Sequence, residues 1–507
     1  MSSAAHTVPS SPMHSSIKGS TTSYDDTEKH GDDQRSVVDP ENPLKQLDTV
    51  NKRKTLTKID LRVVPVLCVL YLLAFLDRVN IANASIFGLK QDLKLAGNEY
   101  NTALVIFFVP YIISEIPSNA LMKRFKPHVW LSGCMFMFGL TTCLQGLTQN
   151  YSGILATRFF LGLFESGMFP GCFYLLAMWY RREEAQKRYT FFFCSTTLAG
   201  AFGGLLASAI GKMDGMRGYR GWRWVFILEG TLTCVIAFLF FFMIPDFPEE
   251  VKWLSADEKR WVKNRLFDDV GSSQREKSVT FKSALNVLKD WKVIIGGFMY
   301  LGLIVPAYGY AYFAPAIIQG LGHGSIQTQL LSVPPWAAAF VLAMIIAVFS
   351  DHIHHRFIFT LVPIAICLTG FLILLIEHHN KHLQYAALFL SAAGAYAAMP
   401  IIVCWFNTNL AGHQRRAVAT GWQVGFGNIG GIIAAYSFLA KDAPKYISGY
   451  SICIAFICLS AISCCVYFVV ILLENRRRDR GDAPGSDLSE EDKQQLGDLN
   501  PDYRYLL

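Results

Sequence analysis

Apolar runs of about 20 residues recur along this chain between short polar breaks, and each is long enough to cross the hydrocarbon core of a bilayer. They predict spans at Val63–Asn83, Asn101–Leu121, Val129–Leu147, Ile154–Trp179, Thr190–Ile210 and Trp224–Ile244. Six more follow at Trp291–Pro315, Leu330–Phe349, Phe357–Ile376, Tyr385–Asn407, Ala417–Leu439 and Ile447–Leu473. A hydrophilic stretch from Pro245 to Asp290 divides them six and six. The expected fold is an all-α membrane protein, with twelve transmembrane helices in two pseudo-symmetric six-helix bundles. The expected domain plan is a disordered tail over 1–58, bundles over 59–245 and 291–475, a central loop over 246–290 and a second tail over 476–507.

The halves echo one another. Gln186-Lys187-Arg188 leads into a span containing Gly203-Gly204, and Gln414-Arg415-Arg416, about 228 residues further on, leads into one containing Gly430-Gly431. In the central stretch, Ser255-Ala256-Asp257-Glu258 has the form of a capping box, with Trp261, Val262 and Leu266 following at helical spacing. A short amphipathic helix bracing the two halves is expected there. The acidic tail after Asp479 reads as solvated and mobile.

Composition sharpens this picture. Only 17% of the 507 residues are charged and 52% are hydrophobic, whereas a soluble domain carries about 25% charged residues. Basic residues set orientation. Lys52, Arg53, Lys54, Lys58 and Arg62 precede the first span, Arg476, Arg477, Arg478 and Arg480 follow the last, and Lys123, Arg124, Lys126, Arg181, Arg182, Lys187 and Arg188 fall on the same side. Both termini and the central loop are therefore expected in the cytoplasm. Arg217, Arg220 and Arg223 run against the pattern.

Several chemistries are excluded. The twelve cysteines, Cys68 to Cys465, all lie inside apolar runs without metal-ligand spacing, so they read as small apolar residues. No Gly-rich phosphate loop and no nucleophile–base arrangement is present, which argues against ATP as energy source and against an enzyme. No cofactor is expected, and no basic face suits a nucleic acid. Asn83 and Asn150 match the glycosylation pattern in unsuitable places, and His352, His354 and His355 read as surface residues.

The informative residues are charges inside spans, because an ionised side chain at mid-bilayer costs several kcal/mol unless it faces a cavity and a partner. Asp77 and Arg78 lie about 22 Å into the first span at 1.5 Å per residue. Arg158 and Glu165, seven residues apart in the fourth span, share one helix face. Two acids and two bases on two helices can exchange partners. A carboxylate substrate that occupies Arg78 or Arg158 takes that arginine away from Asp77 or Glu165, and the freed acid then picks up a proton. The competing reading is a static ion-pair network joining the two helices. In the second half, Tyr308 and Tyr312 lie in a span interrupted by Gly302, Pro306, Gly309 and Pro315, and Trp405 and Asn407 end the tenth. These four are candidates to orient the substrate, with helix packing as the alternative for each.

Asp77-Arg78-Val79-Asn80-Ile81-Ala82-Asn83-Ala84 resembles the first-helix signature of the anion:cation symporter family within the major facilitator superfamily. Arg158-Phe159-Phe160-Leu161-Gly162-Leu163-Phe164-Glu165-Ser166-Gly167-Met168-Phe169-Pro170-Gly171 resembles the fourth-helix signature. Ile116-Pro117-Ser118-Asn119, the run from Gly221 to Gly230 and Asn500-Pro501-Asp502-Tyr503-Arg504-Tyr505 are further matches, and the overall likeness is to the fungal allantoate and nicotinate permease branch. The resemblance implies a proton-coupled, alternating-access carrier of a small organic anion such as nicotinate; a monomer in the plasma membrane is expected. It implies that Asp77 and Glu165 take the proton and that Arg78 links acid to substrate. The superfamily's loop motif after the second helix lacks its acid here; the equivalent acid appears at Asp351, with Arg356 following, so a gating latch is expected in the second half. An exporter of a fungal secondary metabolite and a nutrient sensor that does not transport are the alternative functions.

Overall fold

The computed structural model describes residues 51–122, 125–270, 287–353, 355–410, 413–481, 500–501 and 503–507. Its first half contains the long helices α1 (Lys52–Ile86), α2 (Glu99–Met122), α3 (Pro127–Gly146), α4 (Tyr151–Trp179), α5 (Arg182–Ile210) and α6 (Gly221–Met243). Its second half contains α7 (Trp291–Gly320), α8 (Ser325–Ile353), α9 (Arg356–Ile376), α10 (Lys381–Thr408), α11 (His413–Ser437) and α12 (Ile447–Asp479). Ten of these are long and apolar enough to cross a membrane; α2 and α11 match them in length and pack among them. Most of the twelve helices begin and end within about five residues of the sequence-derived spans; α5 begins eight residues earlier, at Arg182, and α12 runs six further, to Asp479. The first begins earlier: Asn51 caps it by accepting from the Lys54 N–H at 3.1 Å, so residues 52–58, expected in the disordered tail, are helical. Residues 1–50 and the acidic run 482–499 lie outside the described residues.

Burial distinguishes the helices. The spans of α7 and α10 are covered on nearly every side, whereas α6, α8, α9 and α12 turn large apolar side chains outward, among them Phe238, Phe242, Val348, Ile376 and Ile462. Such a broad apolar surface suits lipid and not water. α5 packs on α8, α2 on α11 and α1 on α7, joining the halves. On the face remote from the chain ends, the Asn101 amide donates to the carbonyls of Ala435 at 2.6 Å and Phe438 at 3.0 Å, and Gln329 donates to the Asn83 carbonyl at 3.4 Å. That face is closed.

Glycines set the closest helix approaches, as is usual where backbones must pack without a hydrophobic driving force. A Cβ on Gly162 would lie 2.0 Å from the Phe107 carbonyl oxygen, so α2 and α4 meet backbone to backbone. Gly162→Ala should therefore cost about 1–3 kcal/mol by overpacking. Gly421→Ala, with nothing within 4 Å of the added Cβ, should leave stability unchanged or slightly raised. Thermal unfolding of the detergent-purified protein distinguishes the two, and equal melting temperatures would count against the close α2–α4 approach.

The capping box forms as expected: Ser255 Oγ accepts from the Glu258 N–H at 3.2 Å, and Glu258 accepts from the Ser255 N–H at 2.8 Å, starting the helix Ala256–Val270. Its ion pairs, Glu258 with Lys58 at 3.0 Å and Arg265 with Glu184 at 2.7 Å, tie it to the first half. Burial pushes the Glu258 carboxyl up, but the Ser255 N–H and the Lys58 ammonium outweigh it and hold the group below the usual carboxylate range.

The chain end is docked, contrary to the expectation of a solvated tail. Tyr505 is buried, with its hydroxyl beside Lys292 and accepting from Arg478 at 3.1 Å, while Tyr503 donates to the Thr408 carbonyl at 2.9 Å. The Leu506 carbonyl accepts from the Trp405 indole at 2.9 Å and from Asn409 at 3.0 Å, and the Leu507 carbonyl accepts from the Arg356 N–H at 2.6 Å. The segment thus clamps α7, α9, α10 and α12 on the face that carries the chain ends. A buried donor stripped of its partner costs about 1–3 kcal/mol. Deleting residues 500–507 should accordingly lower the melting temperature, and an unchanged melting curve would show that the clamp contributes nothing.

Candidate transport site

The central site is built where α1, α2 and α4 of the first half face α7, α10 and α11 of the second. Consecutive residues on a helix point about 100° apart, so Asp77 and Arg78 leave α1 on different faces. Arg78 points across the interface. Its Nε donates to Glu165 Oε1 at 2.9 Å, its Nη2 contacts the same oxygen, and its Nη1 meets the Tyr308 hydroxyl of α7. The guanidinium lies 4.8 Å from the Tyr111 ring centre and 5.1 Å from that of Phe107. Arg78 and Glu165 are only 3% and 0% exposed, so neither is compensated by bulk water. Among the described residues, Glu165 Oε2 has no hydrogen-bond partner.

The helix pattern of α4 lapses immediately after this acid, between the segments Tyr151–Glu165 and Met168–Trp179. Gly167 stands at the lapse, where a Cβ would lie 2.1 Å from Ser118 Oγ. Ser166 and Gly167 keep right-handed helical backbone angles, so the lapse is local and α4 continues as one span from Tyr151 to Trp179.

Arg158 is fully buried and does a different job. Its Nη1 donates to the Arg78 carbonyl at 3.1 Å and its Nε to the Ala103 carbonyl at 3.4 Å, so it ties α4 to α1 and α2 through backbone oxygens. Its Nη2 has no hydrogen-bond partner among the described residues. Among the described residues, Asp77 meets neither arginine in a hydrogen bond or ion pair; it is buried with Thr142 and Thr233 beside it. The four charges expected to exchange partners are thus split: Arg78 and Glu165 form the pair, Arg158 braces, and Asp77 faces away.

Beside Arg78 lies a small cavity of about 20 Å³, lined by Tyr71, Tyr111, Tyr300, Tyr308, Tyr396 and Asn428 among others. Its free channel is narrow, with room for a water molecule and not for a substrate. Tyr308 stacks on Tyr312 with ring centres 5.5 Å apart, and Phe108 meets Tyr308 edge-on at 5.1 Å. Tyr312 is buried, and among the described residues its hydroxyl has no hydrogen-bond partner.

Trp405 and Asn407 are elsewhere. The Trp405 indole is bonded to Leu506 near the chain ends, and the Asn407 amide donates to the Val403 carbonyl at 2.8 Å while its oxygen accepts from Thr420. Both fix helices and neither lines the cavity. Arg356 donates to Ser350 Oγ at 2.9 Å; the side chain of Asp351 lies outside those described, so the latch between them does not enter the site's geometry. Sequence reasoning passed over two acids inside predicted spans. Glu115 of α2 is 2% exposed with both oxygens unpartnered, and lies 3.5 Å from the position a Gly425 Cβ would take on α11. Glu229 of α6 is 2% exposed and accepts from Asn80. The same intramembrane-charge rule that flagged Glu165 would have found both.

A family model described as Major Facilitator Superfamily matches residues 67–435. The MFS-type transporter cnsO of Penicillium expansum is 32% identical, across 98% of this chain and 100% of its own length. The MFS transporter prlL of a fungal species is 34% identical over 84% of this chain and 88% of its own. The Major facilitator-type transporter hxnP of Emericella nidulans is 31% identical over 91% and 94%. Among solved structures, a bacterial homologue of the human lysosomal transporter Spinster, inward-facing and unoccupied, superposes with a TM-score of 0.59 at 14% identity, covering 80% of this chain and 96% of that one.

Proposed function

The chain belongs to the major facilitator superfamily, a family of membrane transporters and not of enzymes, and from that premise we propose that it is a proton-coupled carrier of a small organic anion, of the anion:cation symporter type. Its substrate class is a vitamin-like carboxylate, with nicotinate the first to test. It acts as a monomer in the plasma membrane with both chain ends in the cytoplasm, as the basic residues flanking the spans suggest.

One observation carries this reading. Arg78 is held between an acid of its own half and a phenol of the other, at a cavity between the halves, and Glu165 keeps one oxygen free. A carboxylate entering the cavity competes with Glu165 for the guanidinium, whose planar fork suits either carboxylate. When the anion takes the fork, the displaced Glu165 is left in a low-dielectric site without its counter-charge and binds a proton. Anion and proton load together, and the bundles over 59–245 and 291–475 rock about the loaded site. Tyr308 follows Arg78 from the second half, so closure of the halves depends on the state of the pair. Arg158, bound to the Arg78 carbonyl, keeps α1 and α4 in register during the exchange.

Uptake of labelled nicotinate by proteoliposomes under an imposed pH gradient tests the function. Import should rise as the outside is acidified and collapse with a protonophore. Net outward flux would favour an exporter, and saturable binding without flux would favour a sensor.

A further inference from the structure

On the face remote from the chain ends, the connections of the first half carry more basic than acidic residues. They hold six cations against the three acids Asp92, Glu99 and Asp214. Lys212, Arg217, Arg220 and Arg223 fall in one connection and the first turn of α6. Basic residues in short loops collect on one side of a membrane, and these four lie opposite the basic chain ends. The cluster runs against insertion and calls for a reason.

The connection is firmly built. Gly215 at φ 82°, Arg217 at φ 53° and Gly218 at φ 79° turn it through left-handed backbone. A non-glycine residue holds that conformation where its surroundings impose it. Here the Gly215 N–H donates to the Tyr219 carbonyl at 3.0 Å, and Asp214 accepts from the Gly221 N–H at 2.7 Å. The Trp224 indole adds a bond to the Met216 carbonyl at 3.3 Å.

Against this connection opens a cleft of about 460 Å³, lined by Asp92, Gln149, Tyr219, Arg220 and Arg223 among others. Its volume suits a small organic molecule. The two arginines differ. Arg223 is a tie: its Nη1 donates to the carbonyls of Gly146 at 3.1 Å and Thr148 at 2.7 Å, and its Nη2 to Asp92 at 3.1 Å. The Trp222 indole donates to the same Asp92 oxygen at 3.0 Å. Arg220 meets Asp92 only loosely, at 3.6 Å, and its side chain is 54% exposed. One carboxylate therefore faces two guanidinium groups, and the cleft wall keeps a net positive charge. Arg217 is exposed two residues before Tyr219.

We propose that this cleft is a capture site for small carboxylate anions, with Arg220 as the group that binds them and Arg217 adding to its field. Positive charge around a concave surface raises the local concentration of anions and their rate of entry. The cleft thus supplies the central site when the halves part on this face. That role rests on anion transport as proposed above, but capture itself is read without transport.

The test places a thiol in the cleft. Full-length protein carrying Tyr219→Cys, in vesicles of phosphatidylcholine alone, is labelled with methanethiosulfonates bearing either a sulfonate or an ammonium group. Protein without the substitution gives the background from the native cysteines. Relative to a free thiol, the sulfonate reagent should be favoured by about 3–10-fold at low salt. The preference should fade at about 1 M salt, where the Debye length is only about 3 Å. Adding Arg220→Gln should remove most of it, whereas Arg220→Lys should keep it. Excess nicotinate, but not the neutral nicotinamide, should slow the labelling. Gln149→Cys, at a second lining position, repeats the reading should Tyr219→Cys disturb the fold. In uptake, Arg220→Gln should raise the KM by about 3–10-fold at low salt and leave the maximal rate as it is. Equal reagent preference with and without Arg220→Gln overturns the site, and so does labelling that nicotinate leaves unaltered. Protection that appears only when phosphatidylglycerol is added to the vesicles makes the cleft a lipid-headgroup site and also overturns it. Charge-selective, nicotinate-sensitive labelling in a protein that takes up no nicotinate would sink the transport reading and leave the capture site standing.

Discussion

Glu165→Gln abolishes accumulation of the anion against its gradient while counterflow of labelled for unlabelled anion persists. Glutamine retains the size of the side chain and an oxygen for the Arg78 Nε donor, so the local packing survives. It cannot take up a proton, so the reload step no longer depends on the pH difference across the membrane. The expected accumulation ratio under an inward proton gradient falls to about one, the equilibrium limit for an uncoupled carrier. Parallel measurements of gradient-driven uptake and of counterflow in the same vesicles check this. Uphill uptake at the wild-type level would remove Glu165 from the coupling mechanism.

Removing the other half of the pair acts on folding and on binding together. Arg78→Ala leaves Glu165 buried without its cation, and breaking a buried pair from one side costs about 3–5 kcal/mol. Much of that loss should return in the double variant Arg78→Gln with Glu165→Gln, whose two amides satisfy one another without charge. Transport should not return. Loss of a buried charged anchor costs about 2–5 kcal/mol of binding, a fall of more than about 30-fold in affinity for the anion. Arg78→Lys should share the binding defect, because a compact ammonium cannot reach Glu165 and Tyr308 in the same fork. Melting temperature and anion binding, measured on the same preparations, separate the effects. A double variant that binds as well as the wild type would show that Arg78 is only a structural tie.

The elements of the fold that sequence made legible are those governed by the bilayer. A helix must be long and apolar to cross it, so the limits of α3 and α9 follow from hydropathy almost to the residue. The lapse in α4 was not legible, because Ser166 and Gly167 are compatible with a continuous helix and the close approach of Ser118 comes from another element. Within the site, Tyr308 and three of the charges were readable from sequence, whereas the acids Glu115 and Glu229 were passed over. Arg78, Arg158 and Glu165 stand out because ionised side chains inside a membrane demand an explanation. Trp405 and Asn407 carry no such demand, and the partner that occupies the Trp405 indole lies near the chain end at Leu506. Charge alone also could not say which of Asp77 and Glu165 would meet Arg78. That choice follows from the roughly 100° between neighbours on α1 and from which helices pack on either face.

The central claim is that Arg78 changes partner when the anion arrives. The most direct measurement is a structure of the nicotinate-loaded protein in an outward-open state, obtained at acidic pH. The account predicts that the guanidinium of Arg78 binds the substrate carboxylate and that Glu165 stands apart from it. An Arg78–Glu165 pair unchanged from the closed state described above, with the anion bound elsewhere, would contradict it.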